Sequence, residues 1–218
     1  MLCGSQALRL APLAARTAEA APLACHAMAR LLCIRHAQST WNELGRWQGQ
    51  ADPPLSAAGR AAALALAERL GTEVRRCNAL VTSDLVRARE TAVILGRALT
   101  LTPEPWPQLR EVDIGSWSGR VSAEIEALWP EDYRRFRAGD PELRLGGGES
   151  RRALRARALA AVRELEQRWG GEPIVVVTHL GWLRALAPGL ELGNAGTLWL
   201  DSAALAGDEP SWRLEESR

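Results

Sequence analysis

Two short apolar runs, each followed by a histidine, constrain the fold more than any other feature of this sequence. Residues 31–34 form the first run, which leads into Arg35 and His36, and residues 174–177 form the second, which Thr178 separates from His179. Continuous apolar runs of this length are typical of strands buried on both faces of a parallel sheet. Because ligands of open α/β sheets bind beyond the carboxyl ends of the strands, we expect both imidazoles at one site.

The remaining segments alternate between strand-like and helix-like patterns. This alternation predicts an α/β fold, a three-layer sandwich with a mostly parallel central sheet and helices on both faces. Ser56 is expected to cap a helix that Gly71 ends, and Ser83 with Asp84 is expected to cap the next helix. Three prolines between residues 103 and 107 predict an irregular segment. The other predicted strands cover 79–82, 197–201 and 211–214, the predicted helices cover 57–70, 85–99, 121–137, 149–169 and 181–186, and open loops are expected at 41–54 and 139–148.

The charge balance excludes several classes of function. The 218 residues include 27 basic residues, all of them arginine, against 26 acidic ones, and the formal net charge is +1. A dedicated nucleic-acid-binding domain would be strongly basic, so no nucleic-acid partner is expected. Because the sequence has no lysine, it can contain neither a Schiff-base lysine nor a Walker-type phosphate loop.

The orderly pattern begins near residue 30. Residues 30–218 show no internal repeat and no low-complexity linker, so we expect them to form one domain. Residues 1–29 are rich in alanine and leucine, but two arginines and a glutamate interrupt every apolar stretch that a secretory signal would need. We expect this segment to be a disordered extension, or one that lies upstream of a true start at Met28, and an organelle transit peptide fits it only loosely.

The cysteines and the apolar runs bear on location and cofactors. Cys3, Cys25, Cys33 and Cys77 lack the spacing of a zinc site or a small disulfide scaffold, and Cys33 is expected to be a small buried apolar residue. This usage favours a reducing, cytoplasmic location. No apolar run reaches the roughly 20 residues of a membrane helix, so no membrane partner is expected. We expect no metal and no other cofactor.

Further polar groups lie near the predicted strand ends. Residues 35–42 add hydroxyl and amide groups after the first strand, which suits an anion. Arg87 is expected in the first turns of a helix, where the helix dipole also favours negative charge. Glu111 lies in a loop punctuated by glycines. Taken alone, each has a plainer interpretation: a polar boundary residue for a strand-end histidine, a solvated helix face for Arg87 and a surface carboxylate for Glu111.

In combination, these segments resemble the histidine phosphatase superfamily, also called the phosphoglycerate mutase-like superfamily. Two departures stand out, because Ala37 and Leu180 occupy the positions after the two histidines where glycine is usual; Ser118 also stands where a glutamate is usual. The resemblance extends from about residue 30 to about residue 200. The matching blocks, in order, are Arg-His-Ala-Gln-Ser-Thr-Trp-Asn at 35–42, Gly-Arg-Trp-Gln-Gly at 45–49, Asp-Pro-Pro-Leu-Ser at 52–56, the segment 83–92, the segment 109–119, Gly-Gly-Glu-Ser at 147–150 and Val-Val-Thr-His-Leu-Gly at 176–181.

The resemblance implies a metal-independent phosphomonoester phosphatase. His36 would be the nucleophile that forms a phosphohistidine, which divides one hard displacement into two easier ones. Arg35, Arg87 and His179 would hold the phosphoryl group and balance its charge. Glu111 would protonate the leaving alkoxide and then take a proton from the attacking water. The positions that correspond to the substrate pocket are Asn42, Gln48 and Gly49.

Two alternatives to this function stay open. The short interval between Glu111 and Glu149 favours a phosphatase over a phosphoglycerate mutase, and a sugar phosphate or a phosphoglycerate derivative is the expected substrate class. The second alternative is a catalytically weak docking module of the same fold, in which the arginine-rich helix 149–169 binds an acidic partner. Otherwise the expected partner is a small phosphate ester, and the sequence leaves a homo-oligomer open.

Overall fold

In the computed structural model, which describes residues 30–73 and 77–202, five strands form one central sheet. The sheet has the spatial order β3-β2-β4-β1-β5, in which the first four run parallel and β5 pairs with β1 in the antiparallel direction. The predicted α/β fold with a mostly parallel sheet is confirmed, and residues 197–201 form an edge strand as expected. The strands are β1 (Arg30–Arg35), β2 (Ala79–Thr82), β3 (Pro103–Pro105), β4 (Ile174–Thr178) and β5 (Thr197–Asp201).

Seven α-helices connect these strands within the described ranges, together with three short 3-10 turns. The segment predicted as helical at 121–137 consists of two helices, because Pro130 begins the second of them. The helices are α1 (Thr40–Glu43), α2 (Ala57–Glu73), α3 (Val86–Leu99), α4 (Ser122–Leu128), α5 (Pro130–Arg137), α6 (Arg151–Trp169) and α7 (Leu180–Leu186). The 3-10 turns cover Pro107–Leu109, Gly115–Trp117 and Leu145–Gly147.

Strand side chains alternate between two apolar clusters, one on each face of the sheet. Leu31 and Val176 belong to the cluster that α6 and α7 complete, whereas Leu32, Val175 and Val177 belong to the cluster that α2 and α3 complete. Every residue of β4 is buried, as its continuous apolar sequence requires. Helices therefore cover both faces, which is the predicted three-layer sandwich.

Some local predictions were wrong. Helix α2 continues through Gly71 to Glu73, because a single glycine lowers helix stability by only about 1 kcal/mol and does not by itself end a helix. Residues 103–105 form β3 despite their prolines, since an edge strand needs few backbone donors. Helix α1 lies inside the expected loop, because Ser39 and Asn42 form a reciprocal capping box there.

Several predictions concern parts of the chain outside the described residues. These are the N-terminal extension at 1–29 and the strand at 211–214, and the domain boundary near residue 30 also stays a prediction. Within the ranges that the structure covers, no helix is both long enough and apolar enough to span a membrane. Cys33 is buried in β1, and burial raises the pKa of its thiol, in agreement with its predicted role as a small apolar residue.

Candidate active site

His36 is a buried imidazole whose tautomer is set by the backbone carbonyl of the next residue. It follows β1, is 3% exposed, and places Nδ1 at 2.8 Å from the carbonyl oxygen of Ala37. A carbonyl oxygen can only accept, so Nδ1 carries the proton and Nε2 keeps a lone pair. Nε2 lies 3.3 Å from Nε of Arg87, which donates to it. The ring therefore directs an unprotonated nitrogen at a guanidinium.

Parallel pairing of β1 and β4 brings His179 beside His36. Arg35 is in register with Thr178, and the amide of His36 donates to the Thr178 carbonyl at 2.9 Å. The two imidazole centroids are 5.1 Å apart, and His179 is fully buried. Burial, and secondarily the nearby Arg87, hold the pKa of both rings well below the usual histidine value. Both imidazoles are consequently neutral near pH 7.

Arg87 is the buried cation of this site, at 1% exposed. Its NH1 and NH2 groups donate to the carbonyls of Ala51 and Gly49 at 2.7 and 2.8 Å, and burial lowers its pKa to about 10. Gly49 has a φ of 51°, and a Cβ there would lie 2.4 Å from a side-chain carbon of Ile114, so only glycine fits. The loop that contains the predicted pocket residue Gly49 thus orients Arg87 through its backbone.

The N-terminus of α3, the helix that carries Arg87, is capped by a residue far away in the sequence. Ser83 and Asp84 were predicted as its caps, but the cap residue is Leu85, which has no capping side chain. Instead Asp52 accepts from the amide of Val86 at 2.5 Å, and Asp84 pairs with Arg110. The prediction was wrong because the helix begins at Val86, one residue later than the local pattern suggests.

Arg35 and His179 each hold a buried nitrogen that has no partner in the described part of the chain. Arg35 donates from NH1 to the carbonyl of Leu192 at 2.6 Å, but its Nε is unpaired. Nδ1 of His179 is unpaired too, although its Nε2 contacts the hydroxyl of Ser83 at 2.8 Å. Buried nitrogens of this kind usually have a partner, and an anion bound between these side chains would supply one.

Glu111 is held by backbone amides on two sides. One carboxylate oxygen accepts from the amide of Val112 at 2.9 Å, and the other from the amide of Gly181 at 3.0 Å. A Cβ at Gly181 would lie 2.2 Å from the carboxylate, so a larger residue at 181 would displace the carboxylate from this orientation. The neighbouring Leu180, one of the two departures from the family pattern, is the first residue of α7 and is only half-buried.

Ala37, the other departure, fits its position without strain. Among the described residues other than glycine, only Thr100 and Ala195 have a positive φ. Ala37 is fully buried, and its amide donates to the hydroxyl of Thr91 at 3.1 Å. The alanine therefore keeps an ordinary backbone conformation, with its amide committed to α3.

The predicted pocket residues Asn42 and Gln48 meet in one network beside His36. The side-chain oxygen of Asn42 accepts from the amide of Ser39 at 3.0 Å and from Asn194 at 3.3 Å. Asn194 also donates to the carbonyl of His36 at 3.2 Å, and the hydroxyl of Ser39 lies 2.8 Å from the side-chain oxygen of Gln48. These contacts link the loop after β1 to the backbone of His36.

Arg157 was predicted only as one of the arginines of a basic helix. Its guanidinium instead forms a two-point ion pair with Glu149, at 3.0 Å from Nε and 2.8 Å from NH2. The same guanidinium donates to three carbonyls of the segment around Glu111: those of Gln108 and Arg110 at 2.8 Å and that of Glu111 at 3.3 Å. The Gly-Gly-Glu-Ser block gave the position of Glu149 but not its contact with α6.

Comparison with known proteins identifies the family. Residues 31–205 match the sequence profile described as the histidine phosphatase superfamily (branch 1). The chain belongs to the histidine phosphatase superfamily. The resemblance drawn from the sequence blocks, and the enzyme class that it implied, are confirmed.

Several relatives of this histidine phosphatase are named as phosphatases. It is 38% identical to the metal-independent phosphoserine phosphatase of Arabidopsis thaliana, over 72% of this chain and 66% of the plant protein. It is 40% identical to the glucosyl-3-phosphoglycerate phosphatase of Mycobacterium tuberculosis, over 74% of each chain. A solved structure of the mycobacterial glucosyl-3-phosphoglycerate phosphatase shares the fold, with a TM-score of 0.69 and 37% identity over 78% of this chain and 89% of that one.

Proposed function

We propose that this histidine phosphatase hydrolyses a phosphomonoester of a small metabolite through a phosphohistidine on Nε2 of His36. One observation carries the proposal: a neutral, buried imidazole presents a lone pair 3.3 Å from a guanidinium nitrogen of Arg87, with a second neutral imidazole 5.1 Å away. A phosphoryl group bound there would meet a nucleophile and its charge-balancing groups together.

In the first step, the Nε2–P bond forms as the ester P–O bond breaks in line with it. Arg35 and Arg87 offset the charge of the phosphoryl oxygens, and the unpaired nitrogens of Arg35 and His179 supply further donors. Protonated Glu111 gives its proton to the leaving alkoxide, so that an alcohol departs. Its two amide contacts hold the carboxyl in one orientation for this transfer.

In the second step, water attacks phosphorus and the N–P bond breaks. Glu111, now a carboxylate, takes the proton of the attacking water, and inorganic phosphate leaves. The enzyme returns to its starting protonation state, so the cycle balances without a redox partner. Arg35 and Arg87 offer the positive charge that a metal ion supplies in other phosphatases, and we therefore propose that turnover is metal-independent.

The substrate we propose is a phosphorylated small metabolite of the kind named for the relatives, phosphoserine or glucosyl-3-phosphoglycerate. The named relatives act on these two esters, and the network of Asn42 and Gln48 offers amide groups to the part of the substrate beyond the phosphoryl group. Residues 30–218 are proposed to form the catalytic domain, and a cytoplasmic location stays a prediction.

The docking-module alternative has less support. The arginines of α6 were its basis, but most of them are committed within the chain: Arg151 to the carbonyl of Phe136, Arg152 to Glu142, Arg155 to the carbonyl of Ala185, Arg157 to Glu149 and Arg168 to Glu104. An acidic partner would have to compete with these contacts.

A panel of esters at fixed enzyme concentration tests the proposal. Phosphoserine, glucosyl-3-phosphoglycerate, 3-phosphoglycerate and an aryl phosphate are each assayed for free phosphate and for isomerised product, with and without a chelator. We expect phosphate release that the chelator does not change. Isomerised product without free phosphate would establish a mutase instead, and no product from any ester would overturn the assignment.

A further inference from the structure

We propose that Ser83 is a positioning residue that holds His179 in the tautomer protonated on Nδ1, so that this N–H donates to the bound phosphoryl group. The proposal rests on the proposed phosphatase function of the same site, but its central observable is a property of the free protein. Ser83 entered the sequence interpretation only as a helix cap, a role that the structure assigns to other groups.

Ser83 is fixed against His179 by the sheet itself. It follows β2, is fully buried, and its amide donates to the carbonyl of Val177 in the neighbouring strand at 2.9 Å. Its Oγ lies 2.8 Å from Nε2 of His179 and also accepts from the amide of Leu85 at 3.3 Å. The Leu85 amide occupies one of the two lone pairs of the hydroxyl, and among the described residues the hydroxyl proton has no acceptor other than Nε2 of His179.

The second nitrogen of His179 decides which tautomer is useful. Nδ1 is buried and has no partner among the described residues, so a bound anion would supply the partner that it lacks. A neutral imidazole has one N–H to place. If the proton is on Nδ1, this N–H donates to an anion. If the proton is on Nε2, Nδ1 has a lone pair that repels phosphoryl oxygens. A hydroxyl that donates to Nε2 selects the first arrangement.

The two imidazoles then share a tautomer but present opposite groups. His36 donates a hydrogen bond from Nδ1 to the Ala37 carbonyl and presents the Nε2 lone pair, which suits a nucleophile. His179 accepts at Nε2 from Ser83 and presents Nδ1–H, which suits a donor. The Ala37 carbonyl thus leaves His36 as the nucleophile, and the Ser83 hydroxyl leaves His179 as the hydrogen-bond donor.

Nitrogen NMR of the imidazoles measures this directly. The sequence has three histidines, so the spectrum of the 15N-histidine-labelled chain can be assigned with single His→Gln variants. We expect His179 of the wild-type protein to be protonated on Nδ1 without any ligand. In Ser83→Ala we expect a mixture of tautomers or protonation on Nε2, and kcat for an aryl phosphate lowered about 10- to 100-fold, the range for one hydrogen bond to a charged group.

Two further variants separate positioning from a general loss of packing. Ser83→Thr keeps the hydroxyl and is expected to restore both the tautomer and most of kcat. Ser56→Ala removes another buried serine hydroxyl, which caps α2 through the amide of Gly59 at 2.9 Å. It is expected to lower Tm while leaving the His179 resonances and kcat unchanged.

A wild-type His179 protonated on Nε2 would overturn the proposal without any variant, as would an unchanged His179 tautomer in folded Ser83→Ala. The measurement needs no turnover, so it gives a result even if the chain hydrolyses no ester. Failure of the phosphatase assignment and failure of this inference are therefore distinguishable.

Discussion

The chemistry proposed for this site depends on which nitrogen of each imidazole is free. His36 has its Nδ1 proton committed to a backbone carbonyl, and this contact leaves Nε2 as the only nucleophilic atom of the ring. Arg87 lies against that nitrogen through Nε while its two terminal nitrogens bind loop carbonyls. The side chain is thus oriented before any substrate binds, which lowers the cost of organising the site during reaction.

The nucleophile is tested by His36→Ala. We expect no turnover above background and no acid-labile phosphate on the protein after mixing with labelled ester, because no other nitrogen occupies this position. A circular dichroism spectrum of the variant that matches the wild-type spectrum would show that the variant folds. Acid-labile label that persists on folded His36→Ala would mean that a different residue is phosphorylated.

The proton donor is tested by Glu111→Gln, with esters whose leaving groups differ in pKa. An alkoxide needs a proton and an aryl oxide does not, so we expect a loss of about 10²- to 10⁴-fold for alkyl esters and less than about 10-fold for aryl esters. The glutamine keeps an oxygen that can accept from the Gly181 amide, but its NH2 group cannot accept from the Val112 amide, so the circular dichroism and Tm of the variant are compared with those of the wild type. Equal losses on both ester types would remove Glu111 from its proposed role.

The positions of residues at strand ends could be predicted from the sequence, and most of their contacts with distant parts of the chain could not. His36 and His179 were expected at one site because an apolar run precedes each of them, and they lie together. Ser83 and Asp52 were missed in their actual contacts, because each binds an atom far along the chain. A local capping pattern contains no information about such a partner.

At the scale of elements, the sheet places the two histidines, and the loops hold the rest of the site in shape. Trp47, next to the predicted pocket residues, packs edge-on against Trp117 of the loop that carries Glu111, with ring centroids 5.8 Å apart. Arg157 of α6 donates to three carbonyls of the same segment and so attaches it to the helix. The positions of these elements were predictable from periodicity. Their mutual attachment was not, since arginine is abundant throughout this sequence and its contacts follow only from the fold.

The attachment of α6 is tested by Arg157→Met, which keeps an unbranched apolar stem and removes the guanidinium with its hydrogen bonds. Glu149 and three carbonyls would lose their donor, so we expect the free energy of unfolding to fall by about 2–3 kcal/mol. We also expect kcat to fall more for alkyl than for aryl esters, because the segment of Glu111 loosens. Urea denaturation and the two ester classes measure these effects.

Arg163→Met is the matched control for this change. It lies on the same helix and is exposed, so its replacement is expected to change the free energy of unfolding by less than about 0.5 kcal/mol. If both variants lose the same stability, the contacts of Arg157 contribute nothing specific.

At the scale of the whole molecule, the site is a cluster of buried polar residues between the sheet and its helices. Two imidazoles and one guanidinium are almost fully buried where the apolar strands end. Burial disfavours their charged forms, and the pKa of each is lowered accordingly. The fold thus holds its histidines neutral at the expense of stability in acid, a consequence that can be measured without any substrate.

Stability is therefore expected to fall as the pH drops below about 6.5, the ordinary histidine pKa. In the unfolded chain both rings bind protons there, whereas in the folded chain they stay neutral, so protons favour unfolding. Each ring contributes at most about 1.4 kcal/mol per pH unit, or about 2.7 kcal/mol for the pair, until the lowered pKa is reached; above pH 6.5 this contribution is constant. Urea denaturation between pH 5.0 and 7.5 measures the slope. His36→Gln should remove about half of it, and an unchanged slope in that variant would show that this imidazole does not titrate on unfolding.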